Sequence, residues 1–333
     1  MERKGIISAG NWLVDSVKFI NVLPAKGNLA TITNVELGLG GCSHNVLVDL
    51  AKLKAGIPLY AGGCIGNDAY GKMVMDAIHE NGIDDSNMDI IEGASTSYTD
   101  VMSETGGDKT RTFFHCRGAN ALLDIDHIRA MKSDAKIFHL GYLLLLDSLD
   151  KEDPEYGVVA ARALKELQEK GYKTSVDVVS EEGDRFRAIV RPCLKYIDYL
   201  IVNEVEAGAC TSIEMRDADG AIILENVFKA AEDLLKAGVS KYVVIHFPEG
   251  GLAVSARGTR CFVPSDRVPK EEVVSSVGAG DAFCAGSLYA IHEGYDLDRL
   301  LCFANACARF NLYGATSTNA APTLDKVLNY INK

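Results

Sequence analysis

The sequence lacks several patterns that would assign it at once to a large class of proteins. It has no Cys-x-x-Cys pair and no His-Glu-x-x-His pattern, and its nine cysteines and seven histidines are widely dispersed. It has no apolar run long enough to span a membrane, and the run at residues 6–9 is too short for the core of a signal peptide. We therefore expect buried free thiols, no tightly held transition metal, no membrane partner and a cytoplasmic location.

Positive charge is also scarce. The 333 residues include 34 Lys and Arg against 46 Asp and Glu, which gives a formal net charge of −12 at pH 7. Binding to a nucleic-acid backbone requires clustered Lys and Arg that neutralise phosphates and release counterions. The sequence contains no such cluster, so we expect no nucleic-acid partner.

What the sequence does contain is typical of a globular α/β protein. Hydrophobic residues make up 47% of the chain and charged residues 24%, which provides enough apolar surface for one large core. Short apolar runs alternate with amphipathic segments, which predicts a doubly wound α/β core around a largely parallel sheet. The predicted strands lie at residues 57–61, 137–140, 174–177, 199–202 and 242–245. The predicted helices lie at residues 44–54, 69–81, 155–170, 185–194 and 225–237.

Two stretches alternate apolar and polar residues without intervening helices. They are residues 12–41 and residues 95–118, and each predicts an antiparallel ribbon. In the second, two strand-like runs flank the turn at residues 106–108, Gly-Gly-Asp, which is a hairpin signal. A ribbon cannot cover both of its own faces, so it must lie over a cleft or against a partner. We predict a lid.

The strongest local signal for chemistry lies at residues 273–283, where a strand-like run meets glycines and then a helical pattern. Gly278 and Gly280 remove side chains at a predicted helix N-terminus, where unpaired N–H groups and the helix dipole stabilise an anion. Asp281 would lie beside that anion and could accept the proton of a hydroxyl group. The alternative is a tight turn in which Asp281 is an ordinary first-turn acid.

Three weaker signals occur elsewhere, and none is a Walker A loop or a dinucleotide fingerprint. Asn45 follows Gly40 and Gly41 and offers a donor and an acceptor to a polyol, while glycines at residues 62–71 favour either ligand approach or a simple turn. Asp15 lies just beyond a predicted strand, where vicinal sugar hydroxyls could donate to it, or it is a surface acid. Asn203 and Glu206 are three residues apart on one helical face and could hold hydrated magnesium, or form only a helix N-terminus.

Taken in order along the chain, these segments resemble the PfkB, or ribokinase-like, carbohydrate kinase family. The resemblance covers residues 5–325, and its glycine-rich segments are similar to the two signatures of that family. It implies a three-layer α/β/α doubly wound core with a small β-sheet lid, and transfer of phosphate from ATP to a hydroxyl group, usually a primary alcohol. The implied core comprises residues 1–11, 42–94 and 119–333, and the implied lid comprises residues 12–41 and 95–118.

The resemblance also implies roles for individual residues. Asp281 becomes the catalytic base, and the turn Gly278, Ala279 and Gly280 becomes the anion hole. The implied substrate contacts are Asp15, Gly41, Asn45 and Arg117. The implied nucleotide contacts are Asn203, Glu206, Gly251 and Asn305, with Glu206 also supporting Mg²⁺ indirectly. Adenine would lie between the loop at residues 264–270 and the helix at residues 301–312.

The pattern departs from the family at two places. Many members carry an acidic residue three positions before the first glycine of the catalytic turn, next to a monovalent cation, and here that position is Ser275. A neutral hydroxyl is a poorer anchor, so a monovalent cation is doubtful and we expect weak or no activation by potassium. The segment at residues 244–251 stands where relatives commonly have a Thr and a Gly that touch the donor phosphates. Here Pro248 lacks an N–H and Glu249 would repel a triphosphate if it pointed inward, which predicts unusual donor handling.

These observations lead to three hypotheses about function and one about oligomeric state. The first function is a kinase for a free sugar or sugar acid, and the second is a nucleoside kinase, with Trp12 or His44 against the base. The second is open because residues 40–45 contain no Lys or Arg that would require a phosphorylated substrate. The third is a ligand-binding regulator that has lost turnover. Exposed ribbon edges also predict a homodimer that pairs through its lids.

Overall fold

The computed structural model describes residues 3–105, 110–180, 183 and 185–332. The strands in chain order are β1 (Ile6–Gly10), β2 (Leu13–Ile20), β3 (Ile32–Gly40), β4 (Leu59–Gly66), β5 (Asp84–Ile91), β6 (Ser97–Glu104), β7 (Arg111–Cys116), β8 (Ile137–Leu143), β9 (Glu152–Asp153), β10 (Gly157–Val158), β11 (Lys173–Val178), β12 (Tyr199–Asn203), β13 (Tyr242–Phe247), β14 (Gly250–Ser255) and β15 (Arg260–Pro264). The helices are α1 (Cys42–Leu53), α2 (Ala69–Glu80), α3 (Ile125–Ala130), α4 (Val159–Glu169), α5 (Arg185–Cys193), α6 (Glu204–Thr211), α7 (Leu224–Ala237), α8 (Ala279–Glu293), α9 (Leu297–Asn311) and α10 (Leu324–Ile331).

Within the described residues the larger sheet has nine strands in the order β15-β14-β13-β12-β11-β8-β1-β4-β5. The strands from β13 to β5 run parallel, and β14 and β15 continue the sheet as antiparallel strands. In such a sheet the carboxyl ends of the parallel strands meet at one edge, and ligands bind in the crevice outside that edge. The loops that follow β1, β8, β11 and β12 therefore converge on one place.

Helices cover both faces of this sheet, because neighbouring residues of its strands point to opposite sides. On β1, Ile7 packs into a core with α4 to α7, whereas Ile6 packs into a second core with α1, α8 and α9. Both side chains are fully buried. The predicted three-layer α/β/α architecture is therefore confirmed. No helix among the described residues combines the length and the apolarity that crossing a bilayer demands.

A separate sheet has four strands within the described residues, in the order β3-β2-β6-β7. The pairs β2–β3 and β6–β7 are antiparallel, as predicted for the two ribbons, and β2 and β6 join them in parallel. The predicted hairpin turn at residues 106–108 lies outside the described residues. The division of the chain into a core and a lid stays a prediction.

Two predicted elements have different bounds from those expected. The helix predicted at residues 155–170 begins only at Val159, because residues 157–158 pair with residues 152–153 as β10 and β9. The glycines predicted to form a loop after β4 lie partly within that strand. A Cβ atom at Gly63 would lie 2.7 Å from Cδ1 of Trp12, so that glycine is required by a buried indole.

Candidate active site

The glycine turn at residues 278–280 begins helix α8 at the carboxyl edge of the large sheet. Gly278 precedes the helix with φ of 79°, a left-handed conformation that favours glycine, and a Cβ atom there would lie 2.5 Å from the carbonyl oxygen of Ser317. The N–H groups of the first turn of a helix have no partner within the helix and carry its positive dipole. Any side chain at residue 278 would therefore strain the turn. The N–H groups of the turn suit an anion, and its predicted role as an anion hole stays a prediction.

Asp281 lies in the first turn of α8, and its carboxylate is buried and held on both sides. The hydroxyl of Tyr142 donates to Oδ1 at 2.7 Å, and Nδ2 of Asn45 donates to Oδ2 at 2.8 Å. Burial raises the pKa of Asp281 above its ordinary value, and the two hydrogen bonds oppose that rise. The result is an oriented carboxylate whose affinity for a proton exceeds that of an exposed aspartate.

Asn45 is occupied by protein groups rather than facing open space. Its Oδ1 accepts a hydrogen bond from the hydroxyl of Ser317 at 2.8 Å and lies 2.9 Å from Nδ1 of His44. Its Nδ2 donates to Asp281. Asn45 therefore positions the candidate base, and its predicted contact with substrate stays a prediction. His44 is buried with its ring edge against Trp12, so neither side chain is free to stack on a base.

Three polar side chains form a row across the small sheet. Asp15 on β2 pairs in register with Thr99 on β6, which pairs with His115 on β7. Oγ1 of Thr99 lies 3.0 Å from Nδ1 of His115. Burial raises the pKa of Asp15 to about 6, the hydrogen bond with Thr99 opposes this rise, and the charge of Asp281 adds to it. The predicted contact of Asp15 with substrate stays a prediction.

Gly40 and Gly41 connect the small sheet to α1. A Cβ atom at Gly40 would lie 2.7 Å from Oδ2 of Asp15, so this glycine leaves room for the carboxylate. Gly41 has φ of 91°, and a Cβ atom there would lie 2.4 Å from the carbonyl oxygen of Asn11. The positive φ and the close approach to Asn11 thus explain the glycine at residue 41 without a ligand. The predicted contact of Gly41 with substrate stays a prediction.

A second group of carboxylates lies beside Asp281. Glu206 and Asn203 form a capping box for α6, because Oδ1 of Asn203 accepts the N–H of Glu206 at 2.8 Å and Oε2 of Glu206 accepts the N–H of Asn203 at 2.9 Å. The hydroxyl of Ser180 donates to Oε1 of Glu206 at 2.8 Å. Burial raises the pKa of Glu206 to about 7. Asp177, at the end of β11, has its pKa raised by burial and then by the charges of Glu206 and Asp281.

These carboxylates provide a test of whether the site fits Mg²⁺. Asp177 and Glu206 are oxygen donors, the ligand type that Mg²⁺ prefers. Burial is the largest cause of their raised pKa values, and the charge of Glu206 further raises the pKa of Asp177, so a bound cation would favour the ionised carboxylates. The donor set therefore fits the ion. Nothing in the spacing along the chain indicated Asp177, because it reaches this site only through the order of the strands.

The predicted nucleotide contacts lie further along the same edge. A cavity of about 220 Å³ is lined by residues that include Pro264, Asp266, Asn305 and Arg309, between the loop and the helix predicted to hold adenine. Nδ2 of Asn305 donates to the carbonyl of Val263 at 3.0 Å. This places Asn305 in the wall of the cavity, and its contact with a nucleotide stays a prediction.

Gly251 is explained by packing. A Cβ atom there would lie 2.9 Å from the ring of Phe283 and 3.1 Å from Cδ2 of Leu301. A larger residue would therefore collide with the core between β14, α8 and α9. Its predicted contact with the nucleotide stays a prediction that this packing does not require.

The segment at residues 246–251 is a hairpin between β13 and β14, with Pro248 and Glu249 as its turn. Proline fits a turn, which explains its presence without reference to a ligand. Glu249 pairs with Arg216, with Oε1 and Nη1 2.8 Å apart, and this pairing lowers the pKa of Glu249. The sequence analysis expected its charge to repel a triphosphate. Arg216 also pairs with Glu204, so it compensates the charge of Glu249 only in part, and the unusual donor handling stays a prediction.

Arg117 and Ser275 also have protein partners. Nη1 of Arg117 donates to the carbonyl of Leu144 at 2.9 Å and lies 3.1 Å from Oδ1 of Asp147, so the side chain braces the chain after β8. The hydroxyl of Ser275 accepts the N–H of Val277 at 3.1 Å and belongs to the turn before α8. The predicted contact of Arg117 with substrate and the doubtful monovalent cation both stay predictions.

Comparison with known proteins decides which family has this arrangement. Residues 10–324 match the family described as pfkB family carbohydrate kinase. The chain belongs to this family. It is thus a carbohydrate kinase. The chain is similar to the ribokinase of Schizosaccharomyces pombe, with 26% identity over 327 residues that cover 97% of this chain and 96% of the relative.

Solved structures show the same fold for this pfkB carbohydrate kinase. Arabidopsis thaliana ribokinase, solved with ribose and ATP, is similar with a TM-score of 0.80 and 22% identity, covering 99% of each chain. The nucleoside kinase of Methanocaldococcus jannaschii has a TM-score of 0.74 and 19% identity, covering 100% of this chain and 99% of that one. The predicted ribokinase-like fold is confirmed.

The sequence analysis missed Tyr142 as a partner of Asp281, and its contact predicts a measurable effect. Replacing Tyr142 with phenylalanine removes a hydrogen bond that favours the ionised carboxylate, so the pKa of Asp281 rises further. We expect the acidic limb of the kcat/KM profile to move to higher pH by about one unit. Tyr196→Phe, on the other side of the sheet, is the control and leaves the limb in place. An unchanged profile in Tyr142→Phe would contradict this role.

Proposed function

We propose that this carbohydrate kinase transfers the γ-phosphoryl group of ATP to a hydroxyl, preferably a primary alcohol, of a small free sugar or sugar acid. The observation that carries the proposal is the buried carboxylate of Asp281, oriented by Tyr142 and Asn45 beside the glycine turn at residues 278–280. A general base next to an anion site is the arrangement that phosphoryl transfer to an alcohol requires. The small sheet supplies polar groups opposite them.

In this mechanism each group of the chain has one task. Asp281 accepts the proton of the attacking hydroxyl, and burial raises its pKa, which makes it a stronger base than an exposed aspartate. The N–H groups that begin α8 stabilise the negative charge of the phosphoryl group in transfer. Tyr142 and Asn45 hold the carboxylate still, so that no reorganisation is required when the hydroxyl arrives.

Magnesium would be held by Asp177 and Glu206, with Asn203 fixing the orientation of Glu206. When bound, the ion neutralises charge on the donor phosphates. The role of the chain is to bury these two carboxylates so that a cation would favour their ionised forms.

Asp15 is proposed to bind vicinal hydroxyls of the acceptor, with Thr99 and His115 beside it on the small sheet. A carboxylate accepts two hydroxyl donors at once, which suits a polyol. The test is ADP release from ATP across pentoses, hexoses, sugar acids and nucleosides. We expect the highest kcat/KM with a sugar or sugar acid. ADP release with none of the sugars or sugar acids would refute the proposal.

A nucleoside acceptor is the second candidate, favoured by the structural likeness to a nucleoside kinase. The side chains first considered for base contacts, Trp12 and His44, are buried, which weighs against it. In the same panel, a kcat/KM for a nucleoside at least tenfold above that of every sugar would establish this alternative. Binding of a sugar without ADP release in the parent protein would instead support a regulator.

The proposed role of Asp15 predicts that its carboxylate improves binding of the acceptor but lowers the stability of the fold. Burial raises the pKa of its carboxyl from the ordinary value of 3.8 to about 6, so the ionised group destabilises the fold above pH 6 and ceases to do so as the pH falls below 4. We expect Asp15→Asn to increase the free energy of unfolding by about 2 kcal/mol at pH 8, with no gain near pH 4. The same variant should raise the KM for the acceptor at least tenfold.

The control for this variant is Asp100→Asn. Asp100 lies on the neighbouring strand but points to the opposite face and pairs with Lys18. Its removal should give no stabilisation at pH 8 and leave the KM for the acceptor unchanged. A loss of stability at pH 8 in Asp15→Asn would contradict the proposed cost of its charge.

We further propose that two copies pair through the small sheet. Apolar side chains on its edge strands are exposed, including Leu37 on β3 at 49% and Phe113 on β7 at 63%. Unpaired strand edges with exposed apolar groups recruit partners. Leu37→Asp should convert a homodimer to a monomer in sedimentation or light scattering, whereas Leu29→Asp, in a loop and 89% exposed, should not. A monomeric parent protein would remove this proposal.

A further inference from the structure

Four side chains with metal-binding chemistry meet beneath the catalytic cleft. They are Cys42 at the start of α1, His139 on β8, Asp177 on β11 and Cys284 on α8. None is more than 7% exposed. Sγ of Cys42 lies 3.2 Å from Nε2 of His139 and 3.7 Å from Oδ2 of Asp177, and Sγ of Cys284 lies 3.8 Å from the same imidazole nitrogen. The ligand atoms of Cys42, His139 and Asp177 all lie within 4.8 Å of one another.

These separations are those of ligands around one tetrahedral ion. Zinc binds sulfur at about 2.3 Å and nitrogen or oxygen at about 2.0 to 2.2 Å, so tetrahedral angles place a sulfur about 3.6 Å from a neighbouring nitrogen or oxygen ligand. The three measured separations, 3.2, 3.7 and 3.8 Å, lie within a few tenths of an ångström of that value. Cys42, His139 and Asp177 would therefore need little movement to surround a cation, whereas Cys284, which is close to His139, would have to move to complete the set.

The groups around the cluster already orient it. Nδ1 of His139 lies 3.1 Å from the hydroxyl of Ser175, and Oδ1 of Asp177 accepts the N–H of Val178 at 2.8 Å. These contacts leave Nε2 of His139 and Oδ2 of Asp177 facing the thiols, as outer partners do in metal sites. Residue 141 is glycine, and a Cβ atom there would lie 2.5 Å from Sγ of Cys42. The chain thus keeps the space beside the cluster free of a side chain.

We infer that Cys42, His139, Asp177 and Cys284 form a binding site for a thiophilic divalent cation of the zinc type. On binding, the two thiols release their protons to solvent, and the two thiolates, the neutral imidazole and the carboxylate supply four ligands. Sulfur and imidazole are poor ligands for Mg²⁺, so this ligand set favours a zinc-type cation, although it shares Asp177 with the site proposed for the catalytic ion. The sequence analysis expected no such site, because its ligands come from four separate elements.

The test is a Zn²⁺ titration of chelator-treated full-length protein in excess Mg²⁺, with metal content measured after dialysis. We expect one equivalent of Zn²⁺ in the parent, and an affinity at least about 100-fold lower in Cys42→Ala and in Cys284→Ala. Cys64→Ala is the matched control. Cys64 is equally buried and belongs to a second Cys, Asp and His group, yet its loss should leave the affinity unchanged.

Cobalt provides a readout that needs no variant. Co²⁺ in this site should give a thiolate-to-metal charge-transfer band and the intense visible bands of a tetrahedral complex, and Zn²⁺ should abolish both. The inference is overturned if the parent binds no Zn²⁺, if Cys42→Ala binds as tightly as the parent, or if Co²⁺ binds without a thiolate band. These readouts do not involve turnover, so they remain decisive even if the proposed acceptor is wrong.

Discussion

Replacing Asp281 with asparagine is expected to lower kcat about 1,000-fold while leaving the KM for ATP within about threefold. Asparagine keeps the size of the side chain and can still accept from Tyr142, but it cannot take up the proton of the attacking hydroxyl. Steady-state ADP release with saturating acceptor and donor measures the change. The protein should fold normally, because the substitution removes a buried charge whose pKa is raised in the native state.

The alternative that Asp281 is an ordinary first-turn acid makes the opposite prediction for stability. A first-turn acid stabilises its helix by up to about 1 kcal/mol, so its loss would lower the free energy of unfolding and spare kcat. Asp325, in the first turn of α10, is such an acid and provides the control. We expect Asp325→Asn to leave kcat unchanged. A fall in stability without a fall in kcat in Asp281→Asn would contradict the assignment of the base.

Replacing Gly278 with alanine is expected to lower kcat by about 100-fold or more through loss of the anion site. The residue has φ of 79°, and a Cβ atom would lie 2.5 Å from the carbonyl oxygen of Ser317, so the turn must shift. The N–H groups proposed to bind the phosphoryl group would shift with it. Binding of the acceptor, measured separately by calorimetry, should change little, because Asp15 and its neighbours lie on the small sheet and not in this turn.

Gly280→Ala is the matched substitution within the same turn. Gly280 does not have a positive φ, and a Cβ atom there would meet only Cε1 of His246 at 3.1 Å and Nε2 of the same ring at 3.6 Å. A small movement of that ring accommodates the methyl group, so kcat should fall less than about tenfold. Equal losses of kcat in both variants, or a Gly278→Ala protein with parental kcat, would argue against an anion site that depends on the shape of the turn.

The architecture was predictable because its signals are local. Buried parallel strands such as β8 and β12 appear as short apolar runs, and amphipathic helices such as α7 show apolar residues at spacings of three and four. The proposed catalytic turn was also visible, since Gly278 and Asp281 are near neighbours in the chain. Asn203 and Glu206 were found for the same reason, although the structure shows them as a capping box.

The contacts around the base were not predictable, because they depend on strand order and register. Tyr142 and Asn45 are 139 and 236 residues from Asp281 in the chain, yet each donates to its carboxylate. Asp177 is brought to the same edge by the pairing of β11 with β8. No local pattern marks such residues, and only the assembled sheet brings them together.

Glycines were the most ambiguous signal. Gly63 and Gly251 were both associated with ligand approach, but a Cβ atom at either position would collide with a buried aromatic ring. A glycine required by packing and a glycine required by a ligand are identical in sequence. The distinction needs the identity of the neighbouring atoms, which for Gly63 is the indole of Trp12 and for Gly251 the ring of Phe283.

The most direct test of the central claim is to follow the γ-phosphoryl group itself. ATP labelled in the γ-phosphate is incubated with the preferred sugar and either the parent protein or Asp281→Asn, and labelled products are separated. The account predicts labelled sugar phosphate in amounts equal to the ADP formed, and a rate about 1,000-fold lower in the variant. Sugar that binds but never acquires label, or label transfer at parental rate in Asp281→Asn, would contradict it.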